Sequence, residues 1–200
     1  MIVGVSGGSG SGKTTFSISL ANALSPDICL LISQDSYYLD NSHIPFEERK
    51  YINFDHPSTL DFDLLAEHIN DLKHGKDIMS PTYSFLTCLR NNEKMHTEAK
   101  PIIILEGIFI LHNKILRDLL DVKVFLSASA DLRLSRISPR DQAERGRTHE
   151  QVRERFYNMV EPMHREFIEP LRIYADIDIE HVHTDACVQE VLWFINQETI

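Results

Sequence analysis

The chain has little of what secreted, membrane or nucleic-acid-binding proteins depend on. Only three cysteines, Cys29, Cys88 and Cys187, occur in 200 residues, far apart and without a C-x-x-C pair. That pattern argues against a disulfide framework or a zinc site and fits a reducing compartment. No apolar run approaches the ~20 residues needed to span a bilayer. A signal peptide is not expected either, because "MIVGVSGG" leads directly into an apolar run that reads as a core strand. Basic residues are outnumbered, 20 against 30 acidic, for a formal net charge of -10. An acidic chain gains nothing from a phosphate backbone, so no nucleic-acid partner is expected. Internal repeats and low-complexity linkers are absent as well. These absences predict a cytoplasmic protein with no membrane partner.

The length fits one α/β domain over residues 1–200, and the 42% hydrophobic and 25% charged residues are ordinary for a globular chain. "MIVGVS", "ICLLIS" (28–33), "PIIILEG" (101–107) and "VKVFLS" (122–127) read as buried strands, and "ADIDIE" as a last, more polar one. Between them lie helical patterns. Phe16, Leu20, Ala23 and Leu24 recur at helical spacing after Lys13. A helix with Ser58 as N-cap and Asp61 three residues on buries Leu64, Leu65, Ile69 and Leu72 and ends at Gly75. Another carries Leu132, Leu134 and Ile137. Thr148 with Gln151 forms a capping box for a long helix bent at Pro162, and residues 185–197 form a closing helix. Residues 34–60 read as irregular, and 77–99 as a hairpin outside the main sheet. Strands alternating with helices predict a doubly wound parallel sheet, with ligands beyond the carboxyl ends of its strands.

The first motif falls at such an end. Gly7-x-x-x-x-Gly12-Lys13-Thr14 matches G-x-x-x-x-G-K-[ST] in full, with a strand before it and a helix after it. In such a P-loop the backbone of Gly7, Gly8, Ser9, Gly10, Ser11 and Gly12 cradles nucleotide phosphates, followed by Lys13, Thr14 and Thr15. The N-terminus of the following helix adds a favourable dipole. Lys13 is expected to reach the β- and γ-phosphates, and the Thr14 hydroxyl to ligate Mg²⁺. Glu106, closing "IIILEG", is a second candidate at the metal. The bland reading of Glu106 is a strand-end carboxylate meeting solvent.

The phosphoryl acceptor is the open question. No guanine-reading N-K-x-D is present, since Asn113-Lys114 is followed by Ile115 and Leu116. Asp35 in "SQDSYY" directly follows the second strand. A carboxylate in a phosphate cleft repels the nucleotide and makes sense as the group that accepts a proton from an alcohol; a loop aspartate is the bland alternative. Asp55 in "NFDHP" can take two ribose hydroxyls, or simply start a turn before Pro57. Tyr83 and Phe85 in "TYSF", with Phe54, are candidates to frame a flat ring, although two aromatics at this spacing are commonly mere packing. Arg140, Arg145 and Arg147 crowd "SPRDQAERGR" in an otherwise acidic chain. A flexible arginine lid over about residues 136–150 would neutralise transferring phosphate and exclude water. The competing reading is a solvated helix face paired with Asp141 and Glu144.

The P-loop, "QDSYY", "NFDHP", "PTYSF", "LEG", "RDQAERGR" and "YADI", in this order and spacing, resemble the uridine–cytidine kinases, within the wider uridine kinase and phosphoribulokinase group. The likeness covers about Ile2 to Ile179. It implies a P-loop kinase fold with a small hairpin substrate lobe (77–99). It also implies ATP- and Mg²⁺-dependent phosphorylation of a nucleoside 5′-hydroxyl, uridine or cytidine to UMP or CMP, in pyrimidine salvage. Under this resemblance Asp35 is the base, with Tyr38 nearby, and Asp55 holds the ribose 2′- and 3′-hydroxyls. Tyr83 meets the nucleobase, Phe54 and Phe85 wall it, and Glu106 stands near Mg²⁺. Arg140, Arg145 and Arg147 form the lid, with Arg147 also close to the nucleoside. A homotetramer inhibited by pyrimidine triphosphates would follow from the resemblance alone.

Three positions depart from the family pattern. Cys88 in "TCLR" replaces a histidine that touches the pyrimidine edge, Ile137 an arginine near the sugar, and Arg155 a glutamine on the long helix. The phosphate side therefore matches better than the nucleoside side. Related acceptors such as nicotinamide riboside, a sugar phosphate or pantothenate remain alternatives, and Arg155 would suit a second phosphate. A nucleotide-binding regulatory protein is the alternative of another class, but a sensor needs neither Asp35 nor an arginine lid.

Overall fold

The computed structural model describes all residues except Lys50, 181–183 and 199–200, with the side chains of 184 and 198 also outside the description. Strand β1 (Ile2–Gly7) is buried along its whole length, as its near-continuous apolar run requires of a central parallel strand. It leads through the glycine-rich loop into α1 (Lys13–Ala23) and then β2 (Cys29–Ser33). Three short helical elements follow, a 3₁₀ turn over Gln34–Tyr37, α2 (Phe46–Arg49) and a 3₁₀ turn over Pro57–Thr59, before α3 (Phe62–Lys73). The hairpin consists of β3 (Ile78–Ser84) and β4 (Leu89–Thr97), and β5 (Ile102–Glu106) then returns to the main sheet. After it come α4 (Lys114–Leu119), β6 (Val122–Ser127) and α5 (Ala130–Arg145).

A continuous helical run follows from His149 to Tyr174. It comprises α6 (His149–Arg155), wide π-type turns over Phe156–Val160, α7 (Glu161–Met163), wide turns again over His164–Ile168 and a 3₁₀ end. The Thr148–Gln151 capping box is present at its start. The wide turns flank Pro162, whose missing N–H removes one rung of the helical ladder. Strand β7 (Ile177–Glu180) and α8 (Thr184–Glu198) close the fold.

All pairings in the main sheet are parallel, and its order is β2-β5-β1-β6-β7. The edge strand β7 alternates buried and exposed residues, which explains its polar sequence. One apolar core packs Leu65, Ile69, Phe109 and Phe125 on one side of the sheet; a second packs Phe16, Leu20, Val188 and Val191 on the other.

The start of α3 differs from the expectation. Ser58 lies inside a 3₁₀ turn, Pro57–Thr59, whose cap is His56. Asp61 caps α3 instead, accepting from the Leu64 N–H at 3.2 Å. Leu60 is held in a short bridge with Tyr38, so the helix begins only after it. Asp61 also receives Arg90 of β4 at 3.2 Å, while Arg90 donates to the Tyr38 carbonyl at 3.1 Å. This guanidinium ties the hairpin to the segment that follows β2.

Candidate active site

The glycine-rich loop occupies the turn between β1 and α1. Gly10 and Gly12 have φ of 79° and 100°, a region that side chains disfavour. Gly10 is doubly constrained, because a Cβ there would lie 2.6 Å from the Arg133 carbonyl oxygen of α5. Gly12 caps α1 without any side-chain hydrogen bond, and no acidic residue enters the first turn. The free N–H groups and dipole of this helix end suit an anion. Ser11 differs from the rest of the cradle: its N–H is spent on the Gly8 carbonyl at 2.9 Å. Its hydroxyl is buried without a hydrogen-bond partner.

Glu106 and Ser33 are register partners on adjacent strands, and Glu106 is likewise paired with Val5 of β1. This alignment brings three strand ends together. The Glu106 carboxylate accepts Ser33 Oγ at 2.7 Å and Thr14 Oγ1 at 3.2 Å, with Lys13 Nζ at 3.9 Å. Ser33 Oγ also accepts the Asp35 N–H at 3.3 Å, so one hydroxyl links the two acids. Gln34 is fully buried and accepts the Phe109 N–H at 2.8 Å, locking the segment after β2 to the one after β5. Burial pushes the Asp35 carboxyl above the ordinary aspartate value; Lys13 opposes this, Glu106 adds to it, and Arg145 and Arg140 oppose it.

Among the described residues no group of three or more His, Cys, Asp or Glu is arranged to hold a metal. Thr14 and Glu106 offer two hard oxygen donors side by side. Such a sparse set fits Mg²⁺, which keeps water and phosphate oxygens as most of its ligands.

A cleft of about 780 Å³ opens beside the cradle. Every residue expected at the acceptor or the lid lines it: Lys13, Asp35, Tyr38, Phe54, Asp55, Tyr83, Phe85, Cys88, Arg140, Arg145, Arg147 and Arg155. The aromatic rings form a connected group. Tyr38 lies 5.3 Å from Phe54 and 5.1 Å from Tyr83, and Tyr83 lies 5.4 Å from Phe85. The Tyr83 hydroxyl is buried with no partner, and burial pushes it well above the usual tyrosine value.

The geometry adds detail at four places. The arginines expected in a lid lie at the end of α5 and just beyond it, where Gly146 closes the helix in the left-handed conformation. Its three arginines converge on the buried carboxylate of Asp141, with Arg140 at 2.9 Å and Arg145 at 3.4 Å. The anticipated pairing with Asp141 is therefore real, yet the same arginines face the cleft. Arg155 is already engaged, donating to Asp55 at 2.7 Å, while Ser9 Oγ reaches the other Asp55 oxygen at 3.4 Å. Ile137 packs in a small core with Val152, Phe156 and Val160, and shares a small pocket with Asp55 and Arg155. Cys88 adopts a positive φ of 53°, and its thiol turns back to the Phe85 carbonyl at 3.6 Å.

Ser33, Gln34 and Arg90 were missed from the sequence. The first two were visible as polar residues ending a buried strand; Arg90 gave no comparable signal.

Fold, cradle and paired strand-end acids together define a P-loop phosphotransferase of the small-molecule kinase type. The profile of the phosphoribulokinase / uridine kinase family matches residues 2–187, and the chain belongs to that family. Uridine kinase of Staphylococcus haemolyticus (strain JCSC1435) is 48% identical over 178 residues, 89% of this chain and 86% of that protein. Uridine kinase of Bacillus subtilis (strain 168) is 43% identical over 205 residues, covering 100% and 97%. The solved phosphoribulokinase of Rhodobacter spheroides shares the fold, with a TM-score of 0.66 at 17% identity over 92% of this chain and 72% of that one.

Proposed function

We propose that this chain transfers the γ-phosphate of ATP to the 5′-hydroxyl of uridine or cytidine, as a cytoplasmic enzyme of pyrimidine salvage. One observation carries the reading: Lys13, Asp35 and the Tyr38–Phe54–Tyr83–Phe85 ring group line a single cleft. A phosphate donor at one end and a flat, ring-walled acceptor site at the other meet at a carboxylate. The family relatives named uridine kinase support the same substrate class. The added cation Arg155 is held by Asp55, which weakens the case for a sugar-phosphate acceptor needing a free cation there.

In this reading the cradle amides and Lys13 would hold the β- and γ-phosphates, and Thr14 and Glu106 would hold Mg²⁺. The metal ion, when bound, neutralises charge on the phosphate oxygens. Asp55 orients the ribose through its diol. Asp35, made more basic by its burial, accepts the hydrogen of the 5′-hydroxyl, orienting it more than ionising it if the transition state is loose. The arginines at the end of α5 stabilise the transferring phosphoryl group. By the same resemblance the chain assembles as a homotetramer, which sedimentation of the purified protein would measure. Among the described residues no helix is long and apolar enough to cross a membrane.

The decisive experiment is an acceptor panel with ATP and Mg²⁺: uridine, cytidine, nicotinamide riboside, a sugar phosphate and pantothenate, read as ADP release and product mass. Uridine or cytidine should lead the panel, and Lys13→Ala should abolish transfer with the fold intact. Turnover of a sugar phosphate with none of either nucleoside would overturn the reading.

A further inference from the structure

We propose that Arg136 is a positioning residue of the phosphate cradle. Its guanidinium orients the Ser11–Gly12 amide for phosphate and fastens the cradle to the helix that ends in the lid arginines. The inference rests on reading the glycine-rich loop as the site of the ATP phosphates.

Arg136 lies half-buried on α5, and its Nη1 donates to the Ser11 carbonyl at 2.8 Å and to the Gly10 carbonyl at 3.3 Å. In a trans peptide the C=O and the following N–H point in opposite directions. Holding the Ser11 carbonyl toward α5 therefore turns the Gly12 N–H away from Arg136. The neighbouring amide cannot substitute, because the Ser11 N–H is spent on Gly8. The donor burden at this corner thus falls on Gly12 and the first turn of α1, which has no side-chain cap. A cation on the carbonyl side also polarises the peptide and strengthens its N–H as a donor.

The attachment has a second point. The backbone of α5 passes so close to Gly10 that a Cβ there would meet the Arg133 carbonyl. The buried Arg133 guanidinium in turn pairs with Glu161 of the long helix. The same helix then runs on, through Pro139, to Arg140 and Arg145. The cradle is thus fastened to the helix that carries the arginines, so α5 relates their position to that of the phosphates.

The test measures phosphate recognition apart from catalysis. Calorimetric binding of inorganic tripolyphosphate, ATP and GTP is compared in the wild type, Arg136→Met and Arg136→Lys. The methionine variant should bind tripolyphosphate and ATP each about tenfold more weakly, with the ATP-to-GTP ratio unchanged, the loss expected for one charge-assisted hydrogen bond. The lysine variant should fall between it and the wild type. Undiminished tripolyphosphate binding by Arg136→Met overturns the proposal. So does a loss confined to ATP, which would put the guanidinium on the nucleobase. Should the methionine variant fail to fold, the lysine variant decides: weaker tripolyphosphate binding at an unchanged melting temperature supports the proposal, and unchanged binding overturns it. Because no acceptor is present, a wrong nucleoside assignment leaves this result intact.

Discussion

The Arg155 guanidinium stands 2.7 Å from the Asp55 carboxylate, across 100 residues of sequence and inside the acceptor cleft. Both side chains are largely shielded from solvent, so removing one partner leaves a charge with little water to replace it. Arg155→Met is expected to cost about 1–3 kcal/mol of stability. It should also raise KM for uridine more than KM for ATP, because Asp55 loses its fixed orientation. Thermal melts and steady-state kinetics measure both effects. Unchanged nucleoside KM would make the pair a structural staple only.

Asp35→Asn removes the acceptor for the hydroxyl proton while keeping the shape of the side chain. Turnover should fall roughly 10²-fold or more, with a smaller change in ATP affinity. A rise in KM alone, with kcat preserved, would move Asp35 from the chemical step to substrate binding.

Arg147 shares the Asp141 carboxylate with two other arginines and lines the cleft. Arg147→Ala should slow single turnover by about 10²-fold and raise the fraction of ATP lost to water, since the charge clamp and the closure both weaken. Equal single-turnover rates in variant and wild type would leave these arginines as a paired helix end.

Cys88→His tests the altered base edge. A thiol is a weak hydrogen-bonding group, and here it turns toward the Phe85 carbonyl. An imidazole that regains one contact should change the uridine-over-cytidine ratio of kcat/KM by about 1–2 kcal/mol. If the ratio stays constant, position 88 does not face the base.

Acid should weaken the fold through its buried histidines while Asp141 and Glu161 are still charged, with the raised Asp35 carboxyl acting in the opposite direction. Burial depresses the imidazoles of His68, His112 and His164 below the ordinary histidine value, with Arg133 adding to the effect at His164. As pH falls through about 6.5, the unfolded chain binds protons that the folded sites still refuse, so stability drops until the folded pKa values are reached. Burial raises the Asp141 and Glu161 carboxyls, but the neighbouring arginines together outweigh it and hold both below their usual values, so they stay charged across this window. The melting temperature should be lower at pH 5.5 than at pH 7.5, and His164→Gln should narrow the gap. An identical gap in the variant would remove His164 from the account.

By itself the sequence determined the sheet strands, the cradle and the family pattern of acids, aromatics and arginines. Those features are local: an apolar run must be buried, a positive φ wants glycine, and a motif keeps its spacing wherever it is written. Tertiary structure decided what is paired with what. That Arg155 neutralises Asp55, that Asp141 gathers three arginines, and that Ile137 joins a small core beside that pair depends on how α5 and the long helix lie against the cradle. The same holds for the start of α3, where Ser58 had the right chemistry for a cap but the Tyr38–Leu60 bridge moved the helix on to Asp61. A side chain's propensity is carried in its own covalent structure, whereas its partner is chosen by contacts between segments far apart in the chain, and only the packed fold brings those together.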